Sequence, residues 1–292
     1  MSRILIIGDQ CQQLSAEIGS VLASINIPVE YAAGDADALK LLGMQSFDVV
    51  ITNGRSTLEE DLNLLAEMRA IRPGLKCVAL AHGSTPDEVI AAMRAHVFAC
   101  YTPPFSPREI AHVAAYAATD GDWKDDIQIL SATPQWVSIR AHCREITAER
   151  LITFERELST RLPEPRRREM MTGFREILMN AMEHGARFDP HQVVEVMAIR
   201  TARSFVFYVR DPGAGFRDDS LKHAAIGNPP DDPVAHVLER ERTGMRPGGY
   251  GLLMARGTVD ELIFNEKGNE ALLIKYVEQD AASGCSGGDR VR

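Results

Sequence analysis

The sequence predicts two successive units of mixed α and β structure: an open parallel sheet covered on both faces, then a unit of helices and antiparallel strand pairs. Three observations carry this. Over residues 1–119 short apolar runs alternate with helix-period segments, the pattern of a doubly wound parallel sheet. Between 120 and 134 the texture turns acidic and polar, with a short apolar break at Ile127–Leu130, and this marks a linker. Beyond 135 strand-like runs come in pairs separated by tight turns.

In order, Ile4–Ile7, Val49–Ile51, 78–80 and 98–101 read as buried strands, with helices expected near 12–24, 35–44, 58–71, 86–95 and 107–118. In such a sheet functional loops lie at the carboxyl ends of the strands. In the second unit 136–141 reads as a strand and 146–162 as a helix stopping before Pro163. A further helix runs from about Pro165 to Gly185. Strands follow at 193–201 and 204–210, then at 259–265 and 270–277 about Lys267, Gly268 and Asn269. The connection 120–134 is loose enough to add an edge strand to this unit. The tail 279–292, rich in Gly and Ser, is expected to be disordered.

Composition narrows the class. The 292 residues are enough for two cores, and no apolar run approaches the roughly 20 residues of a bilayer span. Five cysteines without close pairing or metal-type spacing read as reduced thiols, so a soluble cytoplasmic protein is expected. The net charge of −9 argues against nucleic acid as the main partner. The basic cluster Arg161, Arg166, Arg167 and Arg168 reads as a solvated helix start.

The stretch FREILMNAMEHG, 174–185, concentrates chemistry. Glu176, Asn180 and His184 recur every four residues and form one polar stripe on a helix. Ile177, Leu178 and Ala181 supply the apolar faces, and Gly185 reads as a left-handed stop. Such a stripe on an otherwise apolar helix is costly unless it meets ligand, metal or water. His184 is expected to make a structural hydrogen bond rather than to act chemically, and Trp136 and Phe174 to be core.

In the first unit, FDVVITN followed by GRSTLEEDLNLLAEMR has the spacing of the third strand, phosphorylation loop and third helix of a response-regulator receiver domain. YTPPF resembles the end of that domain's fifth strand. The resemblance covers 1–119 and implies a flavodoxin-like fold. It also implies an acidic pair for Mg²⁺, an acceptor Asp, a hydroxyl residue and a Lys. This chain has Gly8 and Asp9, Asn53, Ala81 and Pro103 at those positions. Asn53 has no carboxylate nucleophile for an acyl phosphate. The first unit therefore reads as a pseudo-receiver that is not phosphorylated and serves docking or dimerisation.

In the second unit three motifs in order resemble those of the GHKL (Bergerat) ATP-binding fold, specifically the serine kinases of the anti-sigma-factor type. FREILMNAMEHG resembles the asparagine box, DPGAGF (211–216) the first glycine box and RPGGYGLLMARG (246–257) the second. The resemblance covers 135–278 and implies a two-layer α+β domain binding ATP with Mg²⁺. Asn180 would hold the Mg²⁺, which needs only one or two protein oxygens. Glu176, a turn earlier, would be the general base. Asp211 would accept from the adenine amino group, with Gly213 and Gly215 letting the backbone approach. Gly248, Gly249 and Gly251 would offer N–H groups to phosphate at a helix start, beside Arg246. Residues 217–246 take the place of the ATP lid, with a short helix over 233–242. His223, His236, Asp231 and Asp232 within it match no usual metal-ligand spacing.

Two functions are left open. One is an ATP-dependent Ser/Thr kinase acting on an antagonist protein in a partner-switching pathway; the other is a non-catalytic ATP-dependent switch that sequesters a sigma factor or another regulator. Both expect protein partners, no nucleic acid and no membrane, and leave room for a homodimer. A histidine kinase is disfavoured, because 142–162 holds one helix and not a His-bearing two-helix hairpin.

Overall fold

The computed structural model describes residues 3–8, 13–119, 121, 126–216, 224–228, 232–242 and 249–277. The first sheet consists of β1 (Ile4–Ile7), β2 (Val29–Ala32), β3 (Val49–Ile51), β4 (Lys76–Leu80) and β5 (Ala99–Tyr101). All pairings are parallel and the order is β2-β1-β3-β4-β5, the flavodoxin-like order. The residues of β1, β3, β4 and β5 are buried because helices cover both faces. Two helices, α1 (Gln13–Ser24) and α5 (Pro107–Thr119), pack together on one side; α2 (Asp35–Met44), α3 (Leu58–Ile71) and α4 (Pro86–Arg94) line the other.

Local chemistry starts two of these helices. Thr57 Oγ1 accepts from the Glu60 N–H at 3.2 Å while the Glu60 carboxylate accepts from the Thr57 N–H at 2.8 Å. Thr85 and Glu88 repeat that reciprocal cap on α4. The strand β2 was not anticipated. It is an edge strand following Pro28, and of its four residues only Ala32 is buried, so it gives no apolar run to read.

The second sheet is antiparallel throughout, in the order β10-β11-β9-β8-β7-β6. Its strands are β6 (Ile127–Thr133), β7 (Trp136–His142), β8 (Val193–Arg200), β9 (Ser204–Arg210), β10 (Glu261–Phe264) and β11 (Glu270–Tyr276). Residues 127–133 of the expected linker 120–134 are therefore the edge strand β6. Every second residue of β8, β9 and β11 is buried, against one layer of helices: α6 (Glu145–Leu158), α7 (Glu164–Asn180) and α9 (Gly251–Thr258). Phe174 of α7 is fully buried and stacks on Phe207 of β9 with centroids 4.2 Å apart. Trp136, expected in the core, is 39% exposed on β7. A short helix, α8 (Ala235–Arg242), forms where 233–242 was expected to be helical.

Helix α6 joins the two units. It packs on β5 and α4 as well as on α7, and one buried apolar cluster runs through both units. Arg150 donates from Nε to the Phe98 carbonyl at 3.0 Å and lies over the Phe98 ring. The Thr102 hydroxyl donates to Glu157 at 2.6 Å, and Arg156 pairs with Glu109 at 3.0 Å. Burial raises the Glu157 carboxyl above the usual glutamate range, opposed by the Thr102 hydrogen bond. Of the arginine cluster, Arg167 and Arg168 pair with Glu164, and Arg166 reaches the Tyr276 carbonyl and Asp260. No described helix is long and apolar enough to cross a membrane.

Candidate functional site

At the loop after β3 the first unit carries the carboxamide of Asn53. The Asn53 carboxamide oxygen accepts the Arg55 N–H at 2.7 Å and the Ser56 N–H at 3.3 Å, so it closes the turn after β3. Ala81 is buried, with its N–H on the Tyr101 carbonyl; Pro103 is exposed; Asp9 lies outside the described residues. Beside this loop sits a carboxylate that sequence reading passed over. Asp61 of α3 is 3% exposed and accepts from the Thr52 hydroxyl at 2.6 Å and from the Ser56 hydroxyl at 2.5 Å. Burial raises its pKa to about 6, against the pull of those two hydroxyls.

The second unit assembles its site from α7, the end of β9 and the start of α9. Glu176 and Asn180 lie on one half-buried face of α7, and neither side chain has a hydrogen-bond partner among the described residues. The N-terminus of α9 comes against them: an ideal Cβ on Gly251 would lie 2.5 Å from Glu176 Oε2 and 3.6 Å from Asn180 Nδ2. A helix start, whose first N–H groups have no intrahelical acceptor, thus lies beside a carboxylate and a carboxamide, which is donor and acceptor chemistry for a metal–phosphate group.

His184 does not join this face. After Asn180 the helix widens into a π-helical turn, Ala181–Gly185, with the Ala186 N–H on the Ala181 carbonyl at 3.1 Å. The wider turn breaks the four-residue repeat, and His184 is exposed. The expected left-handed stop is also corrected. Positive φ falls at Arg187 and Phe188, not at Gly185. Gly185 is needed for another reason: a Cβ there would lie 2.3 Å from Asp211 Cγ and 2.4 Å from its Oδ1.

Asp211 is fixed by the hairpin beside it. Its N–H donates to the Asn269 carbonyl at 3.0 Å, its carbonyl accepts Asn269 Nδ2 at 3.0 Å, and Oδ1 accepts the Gly213 N–H at 2.7 Å. Burial raises the Asp211 carboxyl above the usual range, opposed by the Gly213 N–H and by Lys267. Its charge and that of Asp189, after burial itself, push the Cys143 thiol up to about 12, so that thiol stays protonated. Asn265 orders the hairpin turn: its Oδ1 accepts the N–H groups of Gly268, Asn269 and Glu270 at 2.7, 3.1 and 3.2 Å. Gly215 lies against the Lys267 carbonyl with no room for a side chain, and Phe216 meets Phe264 edge to face. Asn265 was missed from sequence, and Asn269 was read only as part of the turn. The signal was an Asn at each end of NEKGN, the pattern of a side-chain-capped turn.

The remaining site residues divide. The Gly249 carbonyl accepts the Ala225 N–H at 2.8 Å. Arg246, Gly248, His223 and Asp231 lie outside the described residues. His236 is fully buried; its backbone N–H and Nδ1 engage the Asn228 carboxamide and its ring meets Tyr250 edge to face. No cluster of three or more metal-ligating side chains occurs among the described residues.

Residues 139–275 match the family model of the histidine kinase-like ATPase domain, which implies ATP binding. The chain is 31% identical over 130 residues to the transcriptional regulatory protein GlrR of Escherichia coli (strain K12), covering 42% of this chain and 29% of that protein. It thus spans less than a third of the curated relatives it matches. Among solved structures it is similar to a response regulator from Thermotoga maritima (18% identity, TM-score 0.36, covering 41% of this chain and 100% of that one). It is also similar to the beryllofluoride-activated NtrC receiver domain (18% identity, TM-score 0.35, covering 40% and 94%). The chain is a flavodoxin-like unit followed by an antiparallel sheet-and-helix unit that matches the model of the histidine kinase-like ATPase domain.

Proposed function

We propose that the protein is a signalling regulator that binds ATP with Mg²⁺ and phosphorylates a Ser or Thr of a partner protein, an antagonist in a partner-switching pathway. The observation that supports this reading is the apposition of Glu176 and Asn180 to the start of α9. Bound there, ATP–Mg²⁺ would supply a transferable phosphoryl group. Asn180 would hold the ion through its carboxamide oxygen, and the first N–H groups of α9 would take phosphate oxygens. Glu176 would accept the proton of the attacking hydroxyl. Asp211 would accept from the adenine amino group. Asn53 has no carboxylate to form an acyl phosphate at that position, so the first unit is assigned to docking or dimerisation.

The test pairs Glu176→Ala with Asn180→Ala. Calorimetry should show ATP–Mg²⁺ binding retained by the first and lost by the second. Labelling a native-cell extract with γ-labelled ATP should give a new phosphoprotein with wild type and none with Glu176→Ala. Binding without any transfer by wild type would establish the non-catalytic switch instead, and undiminished binding by Asn180→Ala would overturn the site.

A further inference from the structure

The geometry points to a second ligand site, a cavity between the two units that takes a small organic anion with an apolar body. The cavity has a volume of about 420 Å³, within the roughly 300–1,000 Å³ of small-molecule pockets. Its walls come from the end of α4 on one side and from β6 and β7 on the other, and none of Glu176, Asn180, Asp211 or Gly251 lines it. Its polar lining is Arg94, His96, Gln128 and His142, with no carboxylate among the described residues. In a chain of net charge −9, a wall of one guanidinium, two imidazoles and a carboxamide selects locally for anions. Met93, Ile127 and Ile129 give it an apolar floor.

The polar groups are held in place. The His142 Nδ1–H donates to the Pro190 carbonyl at 2.7 Å, which orients the ring and leaves Nε2 without a partner among the described residues. His96 sits at φ 50°, a conformation few side chains adopt, and Arg69 secures it by donating to the carbonyls of Ala95 and His96. Arg94 spends one N–H on the Ala132 carbonyl at 3.2 Å, and the guanidinium carries five. A ligand seated here touches both units at once.

The probe is anilinonaphthalene sulfonate, an organic anion with an apolar body and a fluorescence that reports burial. Titration of the full chain should give one saturable site. His142→Glu and His96→Glu, each placing a carboxylate in the wall, should weaken binding about tenfold or more. Ile129→Trp, which fills the cavity with a residue suited to a strand, should abolish binding while melting shows the fold intact. Arg108→Glu, in the separate groove between α1 and α5, should leave the titration unchanged. Absence of saturable binding by wild type overturns the proposal, as does equal binding by wild type and Ile129→Trp.

Discussion

Glu176 occupies the space that a side chain at position 251 would need: Oε2 lies 2.5 Å from where the Gly251 Cβ would be. The obstructing atom is the far end of a flexible side chain, so Gly251→Ala should move the carboxylate and leave the backbone in place. Alanine is also the better helix former, though by less at this first helical position than in a helix interior. The expected result is a melting temperature equal to or above wild type, and, with Glu176 as the proposed base, a phosphoryl-transfer rate lowered at least about tenfold by its displacement. Calorimetric melting and a γ-labelled ATP assay read the two separately. An unchanged transfer rate would remove Glu176 from the chemistry.

Gly185→Ala should behave differently. Its Cβ would meet Asp211 at 2.3–2.6 Å, and Asp211 is tied by three hydrogen bonds to Asn269 and Gly213. With no easy retreat, overpacking should cost about 1–3 kcal/mol and shift the carboxylate proposed to read adenine. Reduced stability in denaturant melts and weakened ATP binding are expected together. A variant that binds ATP as wild type does would show that Asp211 does not read the base.

These two glycines show what sequence could and could not reveal. The motifs containing them were legible because Asn180, Asp211 and the glycines stand in a recognisable order. Their physical roles were not. Gly185 looked like a helix stop because a 3.6-residue period was assumed through it; the π-helical turn breaks that period and sends His184 to solvent. The parallel sheet was legible from apolar runs except at β2, an edge strand with one buried residue. The seating of α6 against β5 was invisible, because Arg150, Thr102 and Glu157 are ordinary surface residue types until the units meet.

Glu155 and Arg200 form another pair that only the structure shows. Their side chains are 0% and 3% exposed, 2.6 Å apart, and Glu155 Oε1 and one Arg200 nitrogen lack hydrogen-bond partners among the described residues. Burial raises the Glu155 carboxyl, against the attraction of Arg200. Arg200→Met leaves that carboxylate buried and alone, and should cost about 3–5 kcal/mol in denaturant unfolding. The double variant Glu155→Met with Arg200→Met should recover most of the loss. A single variant as stable as wild type would mean that water reaches the carboxylate.

Asp61 should make the stability of the first unit depend on pH. Its pKa of about 6 in the fold exceeds the ordinary aspartate value of 3.8, so the folded state binds the proton more tightly than the unfolded chain. The stability this contributes is fully present below about 3.8 and is lost as pH rises through about 6. Asp61→Asn removes the ionisation while keeping a polar group for Thr52 and Ser56. The stability of this variant minus that of wild type should therefore rise with pH across that window, by on the order of 2–3 kcal/mol. Amide hydrogen exchange of β3 and α3 at a series of pH values isolates the first unit from the second. A difference that stays flat from pH 4 to 7 would place the Asp61 carboxylate in contact with solvent, where the hydroxyls of Thr52 and Ser56 could not hold the loop as they do.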